Sequence, residues 1–134
     1  EAARVLSLAK GFVLHVPAGS WDGPEGGNLF TNHSCWKDVD LLPGEGEIRI
    51  YAKGTEALGE WPQMRVTLGG ERLGLIFVTS NQYSPYAFHV GVEDRGNQRL
   101  EISFLNDYFQ ATPYVDRSLW IDRAEIAFHE IRWE

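Results

Sequence analysis

Two aspartates, Asp107 and Asp116, stand near the two ends of the run 106–122, NDYFQATPYVDRSLWID. The run leaves an apolar alternating segment at 100–105 and returns to one at Leu119. The chain between is therefore expected to close on itself and bring the carboxylates together. Such a pair, with a loop carbonyl, fills part of the oxygen shell of Ca²⁺ and leaves positions open to hydroxyl groups, such as a sugar's neighbouring pair. The spacing is not that of an EF-hand, which needs acids at alternate early positions and a later glutamate. The same acids also read as turn caps or as a glycosidase acid and base, and spacing alone leaves all three open. Tyr108, Phe109, Tyr114 and Trp120 lie in the same run. Their rings suit the C–H faces of sugars, although Trp120, at a strand end, is expected in the core.

Other chemistry finds little support. The histidines are His15, His33, His89 and His129, and none belongs to a nucleophile elbow, a zinc-binding helix motif or a phosphate loop. His33 and Cys35 are close in sequence, whereas a catalytic Cys–His pair meets across a fold. The single cysteine excludes an intrachain disulfide. With 12 Lys and Arg against 19 Asp and Glu, the net charge is −7. No basic stripe marks a nucleic-acid binder, and no apolar run approaches the ~20 residues of a membrane span. Asn32-His33-Ser34 fits a glycosylation sequon by chance. Asp38 and Asp40 belong on a solvated strand face, and Arg117 and Arg123 are expected to neutralise loop charge.

The elements that position these residues are strands. At 134 residues, 43% hydrophobic and 23% charged, the chain is expected to form one domain, 1–134, with one core. Glu1 without a Met is the expected start of a mature or trimmed chain, so compartment is not read from the N-terminus. Apolar residues alternate at Ile48, Ile50 and Ala52; at Met64, Val66 and Leu68; at Tyr86, Phe88, Val90 and Val92; at Leu100, Ile102 and Phe104. Period two marks half-buried strands. Ile126 and Phe128 continue the pattern, which slips at Glu130-Ile131. Turns are predicted at 43–46 and at Gly69-Gly70, a hairpin loop at 94–97, and a short turn within 54–59. The stretches 18–35 and 106–118 read as long loops of the functional kind. The expected architecture is an all-β, two-sheet jelly-roll-like sandwich of about nine or ten strands.

From Gly46 onward, five pieces in order resemble the calcium-dependent xylan-binding carbohydrate-binding modules of families 36 and 60. They are EIRIYAKGTEA with LGEWPQMRVTLGGERLG, VTSNQYSPYAFHV, LEISFLNDYF and DRSLWIDRAEI. The resemblance covers roughly 46–126, and residues 1–45 match only generally. It implies a functional calcium on Asp107, Asp116 and the backbone carbonyl of Val115, with Glu60 of GEWP as a weaker ligand. Trp61, Tyr83, Tyr108 and Tyr114 are the candidates for lining the cleft. Where the family motif reads Asp-Arg-Asn-Leu this chain has Asp116-Arg117-Ser118-Leu119, so Ser118 is expected to tie the loop less firmly. Related sandwiches hold a structural calcium with acids of the first strand and an Asp like Asp122. The segment Val5-Leu6-Ser7-Leu8-Ala9 lacks those acids, which leaves a second ion in doubt.

The resemblance implies a non-catalytic, monomeric module that binds xylan or a related β-glycan through Ca²⁺, serves an appended catalytic domain, and is secreted. It implies no membrane or nucleic-acid partner. The alternatives are a small jelly-roll glycosidase or lyase, or a structural or adhesive sandwich.

Overall fold

The structure, a computed structural model, describes residues 4–6 and 13–133. Its strands in chain order are β1 (Arg4–Leu6), β2 (Val13–Val16), β3 (Asn28–Leu29), β4 (Ser34–Leu41), β5 (Gly44–Gly54) and β6 (Gln63–Leu68). They continue as β7 (Glu71–Phe77), β8 (Ser84–Val92), β9 (Gly96–Phe104), β10 (Tyr108–Gln110), β11 (Val115–Arg117) and β12 (Leu119–Trp133). The alternating segments are the long strands, and their apolar faces are buried: Ile48, Ile50 and Ala52, Met64 and Val66, Leu100 and Ile102 are each 0% exposed. The strands beyond the expected nine or ten are short. β1 to β3 and the β10–β11 pair have too few residues for a period to show.

Two antiparallel sheets enclose one core. The first runs β1-β12-β5-β8, with β2 and β3 also paired to β12; the second runs β4-β9-β6-β7. β12 is the spine of the first sheet, flanked by β5 on one side and by β3, β2 and β1 in succession on the other. The slip in its pattern is a bulge between Phe128 and Glu130, and a second lies between Ile121 and Ala124. Each shifts the strand's facing by one residue without opening the core.

Gly69 and Gly70 make the predicted β6–β7 turn, both at positive φ (59° and 86°), as a tight hairpin requires. Two turn predictions need correction. The segment 94–97 is not a hairpin loop: β8 and β9 lie in different sheets, so the link crosses the sandwich. The turn at 43–46 is confined to Leu42 and Pro43, because Gly44 and Gly46 already belong to β5. These glycines admit the close approach of β12, since a Cβ on Gly46 would stand 2.4 Å from the Ala127 carbonyl oxygen. Turn-forming residues mark a change of direction and do not tell which sheet the chain enters next.

Gly46→Ala is accordingly expected to destabilise the fold by about 3 kcal/mol through overpacking against backbone. At Gly70 a Cβ meets nothing within 4 Å, so Gly70→Ala loses only the ~1 kcal/mol of a left-handed alanine. Urea unfolding of the two variants checks the difference.

Candidate functional site

Between β9 and β12 the loop folds back as the hairpin β10–β11, with Tyr108 opposite Arg117, Phe109 opposite Asp116 and Gln110 opposite Val115. Its turn contains a cis Thr112–Pro113 bond. Side chains alternate across a hairpin, so Phe109, Tyr114 and Asp116 share one face, and Asp107, one residue before β10, falls diagonally across from Asp116. Diagonal neighbours of this kind lie about 7–8 Å apart, so the register places the two acids side by side.

The hairpin is fastened from its other face. Arg117 is buried, 4% exposed. Its Nε donates to the Glu60 carbonyl at 2.9 Å, and its two terminal nitrogens donate to the carbonyls of Asn106 and Ala57. The Tyr108 ring lies 5.9 Å from its guanidinium, which places Tyr108 under the hairpin as support for Arg117. Asn106 ties the same loops together. Its Nδ2 donates to the Trp61 carbonyl at 3.0 Å, and its Oδ1 accepts from the Gln63 amide at 2.7 Å. Thr55 donates to the Asp116 carbonyl at 3.0 Å and accepts from the Ser118 amide at 3.0 Å. Ser118 is buried and donates to Asp116 Oδ2 at 3.1 Å. The serine that stands where the family motif has asparagine therefore holds both the loop and its acid.

The two acids are held differently. Asp116 Oδ2 also accepts from the Tyr114 hydroxyl at 3.2 Å. The Asp107 amide donates to Asn32 Oδ1 at 2.7 Å, which gives the sequon asparagine a structural task. Asp107 Oδ1, by contrast, is buried with no hydrogen-bond partner. Burial holds the Asp107 carboxyl above the ordinary aspartate range, with the Asp116 charge adding to it; the Tyr108 amide pulls the other way, Glu25 raises it further, and Arg117 partly offsets the effect. A buried carboxylate oxygen without a donor is costly, and a hard cation between the two acids relieves both burial and repulsion. The residues present thus fit a calcium ion.

The remaining predicted residues spread around this end of the sandwich. Val115 sits in β11 beside Asp116. Glu60 has a side chain 63% exposed, 3.8 Å from Arg117, and among the described residues no group of three or more acids, His or Cys gathers. Trp61 is half-buried and lines a cleft of about 270 Å³ with Gly59, Glu60, Phe77 and Thr79. Tyr83 stands over Lys53, 4.7 Å from its ammonium to the ring centre, with Trp120 beyond it at 5.5 Å. Trp120 is therefore not a core residue, as a strand-end tryptophan was expected to be; Leu119 and Ile121 point inward and turn it to the outer face. Asp122 is 3.3 Å from Arg123, and the expectation about Ser7–Leu8–Ala9 lies outside the described residues.

Phe109 belongs with the acids, though it was not singled out for a role. It is 59% exposed, packs edge-on against the 69% exposed Tyr114 with centroids 5.8 Å apart, and lies opposite Asp116. Alternation within 107–109 and 114–116 carries that signal. Arg117, Asn106 and Thr55 left no pattern to read, because their partners are backbone groups distant in sequence. Cys35 is buried with its thiol pushed up to about 12 by burial, which makes it inert packing.

A β-sandwich whose one end carries an acid pair, a fixed loop and exposed rings has the architecture of a carbohydrate-binding module. A family profile described as Ca-dependent carbohydrate-binding module, xylan-binding, family 60, matches residues 47–134, so the chain belongs to that family and is a calcium-dependent, xylan-binding module. In structure it is similar to the CBM36-1 domain of a multidomain xylanase from the hindgut metagenome of Trinervitermes trinervoides. The TM-score is 0.54 at 17% identity, covering 94% of this chain and 97% of that one. It is also similar to a CBM36 in complex with calcium and xylotriose, with TM-score 0.53 at 14% identity and 92% and 99% coverage. A family 35 module from an environmental isolate has TM-score 0.55 at 9% identity, with 95% of each chain covered. At such identities the likeness shows the fold. No curated protein matches the chain by sequence.

Two measurements check the site's construction. Arg117→Ala leaves the carbonyls of Ala57, Glu60 and Asn106 without their donor, and is expected to lower stability by about 3 kcal/mol or more in chemical unfolding. The raised Asp107 carboxyl has the opposite sign from a salt-bridged acid. Just above the ordinary aspartate value the metal-free folded state binds more protons than the unfolded chain, so its stability falls as pH rises through that window. Above the window the penalty is complete. In EDTA at neutral pH, Asp107→Asn is therefore expected to melt above the wild type, and the difference is expected to vanish in acid.

Proposed function

We propose that Asp107, Asp116 and the Val115 carbonyl hold the family's calcium ion at the β10–β11 hairpin, and that the xylan chain binds there. The observation that supports this most is the buried, unpartnered oxygen of Asp107 beside Asp116. Bound there, Ca²⁺ supplies open coordination positions to a sugar's neighbouring hydroxyls. The chain's own residues do the rest. Ser118 and Thr55 fix Asp116, Asn32 fixes the backbone at Asp107, and Arg117 holds the loops in one arrangement. Tyr114 and Phe109 form a ring face beside the acids, and Trp61 with Phe77 forms a second across Glu60. Glu60 remains an exposed acid at the rim. Preorganisation of this kind keeps the ordering cost of binding low.

On this reading the 134 residues act as one non-catalytic, monomeric module, working outside the cell beside the catalytic domain of a parent enzyme that acts on xylan. Carbohydrate-binding modules as a class are non-catalytic. The similar CBM36-1 domain is part of a multidomain xylanase, which supports the appended enzyme, and the polymeric ligand supports the extracellular setting.

Calorimetric titration with soluble xylan is expected to show binding in Ca²⁺, none in EDTA, and recovery when Ca²⁺ is restored. Asp107→Ala and Asp116→Ala are each expected to lose at least a hundredfold in affinity while melting as folded proteins. Normal xylan binding by either variant contradicts the assignment.

A further inference from the structure

The outer face of the first sheet carries a second group of rings, built from four parts of the chain. Phe30 follows β3, Lys53 closes β5, Tyr83 sits before β8, and Trp120 opens β12 directly opposite Lys53. Phe30 packs edge-on against Trp120 at 5.8 Å, and Phe30 and Tyr83 are 47% and 44% exposed. Lys53 is half-buried between the Tyr83 and Trp120 rings. Among the described residues no carboxylate is within ion-pair distance of it and no acceptor takes its three N–H donors. Asp122, whose charge reaches Tyr83, is engaged by Arg123 at 3.3 Å. The rings attract the ammonium through their faces, yet they accept none of its hydrogen bonds. The ammonium nitrogen stays open to solvent, so its N–H donors are available to an anion from outside.

We infer that Phe30, Lys53, Tyr83 and Trp120 form a second subsite, one that takes a carboxylate-bearing sugar of an acid-substituted β-glycan. The sugar ring lies on the exposed aromatics and its carboxylate pairs with Lys53 in a charge-assisted hydrogen bond. This rests on the reading of the module as a xylan binder and names the decoration it selects. The patch is joined to the acid pair by short stretches of chain. Trp120 is four residues from Asp116, about 13 Å along an extended chain. Thr55, two residues after Lys53, holds the Asp116 carbonyl, and Asn32, two after Phe30, holds the Asp107 amide. A single polysaccharide chain reaches both. In a protein of net charge −7, an acidic polymer is otherwise repelled, so the preference has to come from a local cation.

The test compares glucuronic-acid-substituted xylo-oligosaccharide with the unsubstituted one by calorimetry, in Ca²⁺ at low salt, for the wild type, Lys53→Met and Lys53→Arg. The wild type is expected to bind the acidic ligand about tenfold more tightly. Lys53→Met is expected to erase that ratio with the unsubstituted affinity unchanged, and Lys53→Arg to keep it. For the wild type the ratio is expected to collapse toward one in 0.5 M NaCl, a readout that needs no variant. No preference in the wild type, no binding of the acidic ligand, or a ratio unchanged in Lys53→Met overturns the inference. An EDTA arm reads the calcium assignment separately: unsubstituted ligand that still binds in EDTA contradicts that assignment, whereas the acidic-to-neutral ratio reports on Lys53 alone.

Discussion

A guanidinium presents five N–H donors in one rigid plane and has no neutral form to retreat to. Buried in a loop cluster, it has to find acceptors in fixed directions, and the loops have to supply them. At Arg117 the acceptors are backbone carbonyls of Ala57, Glu60 and Asn106, from segments that follow β5, precede β6 and follow β9. Strands of both sheets are thereby locked at one end of the sandwich, and the residues on either side of Arg117 in sequence become Asp116 and Ser118, the acid and its hydrogen-bonding partner. The fold needs Arg117 to close that end, and closing it is what aims the acid face of the hairpin at solvent.

The same construction leaves a deliberate imbalance. The Asp116 carboxylate and carbonyl accept hydrogen bonds and the Asp107 amide donates one to Asn32, while Asp107 Oδ1 is buried without a donor. Stability alone would favour an asparagine or an added donor there. An acid retained against its own repulsion is characteristic of a functional site rather than of a turn cap. That is consistent with a family whose members depend on calcium, and it distinguishes this pair from Asp38 and Asp40, which lie exposed on β4 with Asp38 paired to Arg99.

How much of this was legible in the sequence depends on whether the cause is local. Alternation exposed the core strands because burial of every second side chain is a property of a single strand, and Ile48, Met64 and Leu100 need no knowledge of their neighbours. The slip at Glu130-Ile131 showed for the same reason, and the structure has a bulge there. The link at 94–97 misled, since a turn's residues reflect its backbone dihedrals and not the sheet that receives the next strand. Trp120 misled because its facing depends on β12 pairing with β5 and β3. At the candidate site, Asp107 and Asp116 were visible from spacing and motif, but Arg117 was read only as neutralising loop charge: a side chain satisfied by three carbonyls leaves no partner in the sequence to point at. Phe109 was named among the rings of the run but not among those lining the cleft, although its alternation with Asp107 was there to be read.

The most direct test is the position of the ion. Crystals grown in calcium chloride and measured at long wavelength should give an anomalous-difference peak between the carboxylates of Asp107 and Asp116, adjoining the Val115 carbonyl. A peak there establishes the acid pair as the calcium centre. A fully occupied peak elsewhere, with none at this pair, contradicts the account and returns these aspartates to the role of loop residues.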